Sequence, residues 1–355
     1  MINKIAVIGG GFFGCLISLK ISEIDNIEVD LFEEKKDLLL SASGKNQMRA
    51  HYGYHYPRSN ETVKEIQKSI NEFKAFFPKN VFEKTINYYS IAKKNSKTDT
   101  KTYKNFLKKN KLYFTEENNL PYFEKNNIER IFKVNEKIIN IFKARTFLKK
   151  RISKNKKINL HLNRKFTDKN TKNYRFVIYA TYSENNYNIR KFKNKLKKKK
   201  YELVEKILVK MPKFFNKKSI VVLDGNFVCI DPYLGTNLHL LSDVKNSKLE
   251  IQYKRFYKFK SYQKKYLKKY LIKNKKISNF RNFIKNSSKY LPILKEAKYY
   301  GSFYVVRSID KDNNDTRVTN INKINNKLFT IYSGKWINSV ATAKKVKKIL
   351  IKIKK

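Results

Sequence analysis

The chain has 355 residues, 41% of them hydrophobic and 14% aromatic, which gives it enough apolar material for a sizeable core and, by length, for two domains. That composition excludes wholesale disorder. The formal net charge of +52 comes mainly from lysine, alongside an excess of Asn, Ile, Tyr and Phe and very little Gly, Pro or Trp.

All the enriched types have A/T-rich codons, so a genome of low GC content accounts for the charge without any function. The other reading is a nucleic-acid or anionic-membrane partner met by a basic surface. The lysines are spread along the chain, with short runs such as residues 197–200, and no recognition motif accompanies them. No specific nucleic-acid partner is therefore expected. Cys15 and Cys229 cannot build a disulfide framework and show no metal-ligand spacing, a pattern that suits a reducing cytoplasm and predicts no metal.

In chain order, residues 4–8 read as a buried strand, 12–24 as a helix and 26–32 as an alternating second strand. The lysine, apolar stretch and cysteine at the start imitate a lipoprotein signal, but the glycine breaks make this segment part of the mature fold. Residues 38–59 are polar and aromatic without helical period, and are expected to run over a ligand. Residues 61–76 form an amphipathic helix opened by Ser59 or Asn60. A strand at 88–92 and a helix at 101–109 begin an inserted second domain. A helix at 142–152 and strands at 158–162 and 176–180 return the chain to the first. Antiparallel strands are expected at 201–209, 219–223, 227–230 and 238–243, helices at 257–270 and 279–291, and a last strand at 328–332. The lysine-rich tail, 344–355, is expected to pack an apolar helical stripe on the domain, with peripheral membrane contact as the alternative. No apolar run is long enough to cross a bilayer.

The chain has only ten glycines, and four of them stand at positions 9, 10, 11 and 14. Gly9-Gly10-Gly11-Phe12-Phe13-Gly14 matches G-x-G-x-x-G between a strand and a helix. Gly9 permits the tight turn, Gly11 lets backbone N–H groups approach a pyrophosphate, and Gly14 allows close helix–strand packing. The helix N-terminus adds unpaired donors and a positive dipole end. Glu33 follows Gly14 by 19 residues at the end of the second strand, where a carboxylate can accept from ribose hydroxyls and would repel a 2′-phosphate. The unit binds a dinucleotide other than NADP. FAD and NAD both remain open at this point.

After Glu33, the run from Ser43 and Gly44 through Asn46, His51, Gly53 and Tyr56 to Pro57 resembles the loop after the Rossmann unit in the D-amino-acid oxidase/glycine oxidase superfamily. It is most similar to the branch that includes L-2-hydroxyglutarate oxidases. Further segments resemble that superfamily in order. They are Val177 to Thr181 with its Ala180-Thr181 dipeptide, Asp224-Gly225 to Tyr233, Tyr300 to Arg307, and Ser333-Gly334-Lys335-Trp336. Tyr182 departs from the pattern, since the family commonly has glycine there, as does the single glycine of the last loop, Gly334. Asn46, Arg49, His55 and Pro57-Arg58 also resemble FAD oxidoreductases associated with surface-polysaccharide or nucleotide-sugar genes.

The resemblance implies FAD, held by Gly9, Gly10, Gly11, Phe12, Phe13, Gly14, Glu33, Ser43, Asn46, Ala180, Thr181, Gly334 and Lys335. It implies an α/β fold in which an FAD-binding Rossmann-like domain of glutathione-reductase type (1–80, 140–195 and 320–355) is interleaved with an α+β antiparallel-sheet substrate domain (81–139 and 196–319). It further implies hydride transfer from a small amine, hydroxy acid or sugar derivative to the flavin, with electrons passed on to oxygen or another acceptor.

Such a site needs a cation for a substrate carboxylate and a base for the N–H or O–H proton. His51 is the first choice as base or flavin contact, ahead of His55. Arg307 takes the family position of the carboxylate-binding arginine. Lys335 follows the Gly334 turn and can stabilise negative charge, and Arg49 is a further pocket residue. His161 and His239 are expected to be structural, and Asp315 with Arg317 to shape a loop. An NAD-dependent dehydrogenase and a basic, non-catalytic polyanion-binding protein are the alternatives.

Overall fold

The computed structural model describes residues 3–225, 228–310 and 318–354. Asp315 and Arg317, and the start of the expected strand at Phe227, lie outside the described residues. In chain order the first elements are β1 (Asn3–Ile8), α1 (Phe12–Ile21), β2 (Ile27–Phe32), α2 (Asn60–Phe76), β3 (Phe82–Glu83) and β4 (Ile86–Ala92). There follow α3 (Thr100–Lys109), β5 (Phe114–Glu117), β6 (Ile128–Val134), β7 (Ile138–Ile139), α4 (Ile141–Ser153), β8 (Ile158–His161) and β9 (Phe176–Tyr179). After the single turn α5 (Asn185–Asn188) come β10 (Lys199–Lys210), β11 (Lys218–Leu223), β12 (Val228–Tyr233), β13 (Leu238–Asp243) and β14 (Lys248–Lys254). The chain ends with α6 (Ser261–Lys268), α7 (Phe280–Ser287), β15 (Lys298–Asp310), β16 (Asn320–Lys323), β17 (Leu328–Tyr332) and α8 (Ser339–Lys354).

The strands make two large sheets. The first has six strands in the order β16-β17-β9-β1-β2-β8, all parallel except the edge strand β16. Because β2 and β8 lie on one side of β1 while β9 and β17 lie on the other, the order reverses at β1. The crevice at the carboxyl ends of β1 and β9 is a topological switch point, where open α/β sheets take ligands. The second sheet has nine strands and is antiparallel apart from the β11–β4 pair. Its spine is β10, which pairs along its length with β15 and, on the other edge, with β14 and then β13.

Apolar stripes explain how the layers close. Val340, Ala343, Val346 and Leu350 of α8 join the core with Cys15, Leu16 and Leu19 of α1. The tail therefore lies on the first sheet's helical layer, with Lys344 and Lys347 bridged to Glu72 and Glu23. Helix α2 begins beside the expected cap, but Ser59 Oγ contacts Thr62 Oγ1 and makes no cap to a backbone N–H. The expected helices at 257–270 and 279–291 are shorter, at Ser261–Lys268 and Phe280–Ser287. Among the described residues no helix is long and apolar enough to cross a membrane.

Candidate active site

The glycine loop sits where β1 turns into α1. Gly9 takes φ +106°, and a Cβ there would lie 2.7 Å from the Ala180 carbonyl oxygen, so the loop passes tightly over the end of β9. A Cβ on Gly14 would lie 1.8 Å from the Gly9 carbonyl oxygen, which fixes how closely α1 approaches β1. Glu33 is buried and turned inward. Its Oε2 accepts from the Gly10 N–H at 2.6 Å and its Oε1 from the Lys35 N–H at 2.8 Å. Burial raises its pKa, and those backbone donors oppose the rise.

From this loop a cavity of about 730 Å³, open mouth included, runs between the two sheets. The first sheet's side supplies Gly11, Phe12, Phe13, Ser43, Asn46, Ala180, Ser333 and Gly334. Lys206 on β10 and Val305, Val306 and Arg307 on β15 form the facing wall. The Phe12 N–H points at Ser43 Oγ, 3.3 Å away, and a Cβ on Gly11 would meet the same hydroxyl at 3.0 Å. The fold thus draws residues 11–13, 43, 46, 180, 307 and 334 to one cavity. Gly9, Gly10 and Glu33 support it from behind. Thr181 faces elsewhere, its Oγ1 donating to Asn185 Oδ1 at 2.8 Å.

His51 and Lys335 do not line that cavity; they form a cluster beside it. The His51 ring lies 5.6 Å from that of Tyr56, and Lys335 Nζ lies 4.2 Å over the same tyrosine. His51 Nδ1 and Tyr56 Oη are buried, with no hydrogen-bond partner among the described residues. Burial, and then the charge of Lys335, hold the His51 pKa well below its ordinary value, so the ring is neutral. Burial alone brings Lys335 down to about 7. His55 belongs to the same aromatic group, 5.8 Å from His51. Most buried polar atoms in proteins are bonded, so a cluster left open in this way suits a ligand or ordered water.

Arg49 corrects the expectation of a pocket residue. It is fully buried away from the cavity, pairing with Asp231 at 2.5 Å and Glu136 at 3.2 Å. Arg307 does reach the cavity wall, but its Nη2 pairs with Glu202 at 2.8 Å. The two other histidines are packed. His161 stacks on Phe32 and meets Asp30, and His239 lies against Phe215 with its pKa lowered to about 4 by burial. Sequence reasoning missed Lys206 and Lys45. No local signal marks either, because Lys206 lies in a strand that also carries Glu202, Glu205 and Lys210. Among the described residues no group of three His, Cys, Asp or Glu is placed to hold a metal ion.

No family model matches the chain. Its sequence is 30% identical over 145 residues to the FAD-dependent monooxygenase FPY4 of Fusarium mangiferae, a match that covers 41% of this chain and only 39% of that protein. Solved structures match over nearly the whole chain. L-proline dehydrogenase from P. horikoshii superposes with a TM-score of 0.70 at 12% identity, over 99% of this chain and 94% of its own. The L-alpha-glycerophosphate oxidase of Mycoplasma pneumoniae, solved with FAD bound, gives 0.69 at 13% identity over the same shares. Glycine oxidase from Geobacillus kaustophilus gives 0.65 at 11%, over 99% and 94%. The switch-point sheet, the glycine turn and these superpositions together give the chain the fold shared by these dehydrogenase and oxidase structures.

Proposed function

We propose that this chain is an FAD-dependent oxidoreductase that oxidises a small amine, hydroxy acid or sugar derivative at the cavity between its two sheets. One observation carries the reading. The cavity is lined by the glycine loop on one side and by Lys206 and Arg307 on the other, so a dinucleotide held on the loop would face cationic side chains. FAD fits the residues present. The Gly11 backbone is open where a side chain would crowd Ser43, and each Glu33 oxygen keeps a lone pair for a ribose hydroxyl. In this reading residues 1–80, 140–195 and 320–355 hold the cofactor, and residues 81–139 and 196–319 bound the substrate.

The flavin, when bound, supplies the hydride acceptor. The chain's own residues position and deprotonate. His51, neutral and with no partner for its Nδ1 among the described residues, stands beside the cavity as the candidate base for the substrate N–H or O–H proton. Lys335 stabilises negative charge that develops near Gly334. Val305, Val306 and Trp336 give the cavity apolar lining beside its cations.

The protein should purify yellow, and Gly11→Ala should lower its flavin content. Under anaerobic conditions a panel of amino acids, 2-hydroxy acids and nucleotide sugars should include one compound that bleaches the flavin. Colourless protein whose nucleotide preference is for NAD would sink the reading.

A further inference from the structure

The cations on the cavity wall differ in how they are compensated. Lys45 Nζ donates to the carbonyls of Lys269 at 2.9 Å and Tyr304 at 3.2 Å. Arg307 is paired with Glu202, which also faces Lys200 at 3.1 Å and Lys248 at 3.7 Å. Lys206 stands apart from both. It is 4% exposed, its polar contact is Ser242 Oγ at 3.5 Å, and among the described residues it forms no ion pair. The ionisable groups that face it are Arg307 on β15, Cys229 and Asp231 on β12, and His51 in the loop after Gly44. Asp231 is already committed to Arg49 and to the Ser219 hydroxyl.

A buried ammonium without a counterion costs stability, and replacing it with an apolar side chain of similar size would relieve that cost. Burial and Arg307 together bring Lys206 down to about 8, so it carries its charge at neutral pH. A buried lysine that faces a cavity and has no ion pair among the described residues is the arrangement expected where a ligand supplies the anion.

We propose that Lys206 binds an oxyanion of the substrate, a carboxylate or a phosphate, and that Arg307, held by Glu202, plays the lesser part in anion binding. The inference rests on the cavity being the substrate site, and it narrows the substrate to anions, excluding neutral sugars. It also bears on the base. His51 is kept uncharged partly by Lys335 and Lys206, and an anion bound at Lys206 offsets that field and raises the basicity of the ring.

The test uses the flavin-loaded protein and its Lys206→Met and Arg307→Met variants, titrated with inorganic phosphate and, separately, with oxalate. Binding is followed by thermal shift and by perturbation of the flavin spectrum. Wild type should bind one of the two anions, which tells phosphate from carboxylate, and should bind it more weakly as pH rises past about 8. Lys206→Met should weaken binding at least about tenfold, the order expected for losing one charge-assisted hydrogen bond. Without ligand it should melt above wild type, as a purely structural lysine would not. Arg307→Met should lose less affinity. The proposal is overturned if wild type binds neither anion, if Lys206→Met binds as wild type does, or if only Arg307→Met abolishes binding. The thermal shift does not depend on the flavin signal and is repeated on protein without flavin, so failure of the FAD reading and failure of this one are separable.

Discussion

Tyr182, at the position where the resemblance leads to an expectation of glycine, takes φ +54°. That is a left-handed conformation that glycine adopts freely and tyrosine does not. What holds it is visible: the Tyr182 hydroxyl donates to the Ser308 carbonyl at 3.0 Å and accepts from the Ser308 N–H at 3.1 Å, and the ring stacks on Tyr332. Gly14 is a different case, since the space is missing and not only the angle. Gly14→Ala should push α1 off β1, lowering both flavin content and melting temperature, whereas Gly11→Ala, facing a movable hydroxyl, should lower flavin content alone. Absorbance ratio and calorimetry on the two variants separate these outcomes. At His51 the expectation is kinetic. His51→Gln should slow anaerobic flavin bleaching by roughly a hundred- to ten-thousand-fold, the range for losing a general base, with flavin content retained.

Arg49 belongs to the scale of elements, because it ties three of them together. It reaches from the loop after β2 to Glu136, between β6 and β7, and to Asp231 on β12. Glu136 also accepts from Tyr89 Oη at 2.7 Å and from the Tyr52 N–H at 3.0 Å, and Asp231 accepts from Ser219 Oγ at 2.7 Å. The loop that carries His51 is thereby fastened to the second sheet. Arg49→Met would leave two buried carboxylates uncompensated, a change expected to cost about 3–5 kcal/mol. Denaturant unfolding measures it. A loss below about 1 kcal/mol would mean that the pair behaves like an exposed one.

At the scale of the molecule, a formal charge of +52 makes the folded state repel itself. Stability should rise with a non-chaotropic salt, since at about 1 M the screening length falls to roughly 3 Å. The buried lysines add a pH signature. Lys45 and Lys206 are lowered to about 8 and Lys335 to about 7, so above those values the unfolded chain binds more protons than the folded one. Stability therefore rises with pH from about 7 toward 10, the opposite of what ion-paired lysines give. Above that, the buried tyrosines, whose ionisation is pushed upward, reverse the trend. Melting temperature across this range tests it, and a flat or falling curve between 8 and 10 would contradict the buried-lysine account.

The sequence by itself determined the parts governed by local rules. The glycine spacing, the flanking strand and helix, and Glu33 at the end of the next strand established the βαβ unit, because tight turns and close backbone approach admit few residue types. The predominantly apolar stretches at 201–209 and 328–332 likewise located β10 and β17 within a few residues. Short, polar edge strands such as β5 and β16 escaped, since pairing alone defines them. Which charges meet was decided only by the tertiary structure. Nothing local distinguishes Lys206 from the many exposed lysines, or Arg49 from a pocket arginine; that depends on carboxylates that β10, β12 and the β6–β7 turn do or do not bring within reach. The glycine loop announced a dinucleotide, but the wall that faces it came from strands nearly two hundred residues or more away, and an electrostatic environment is a property of that assembled wall.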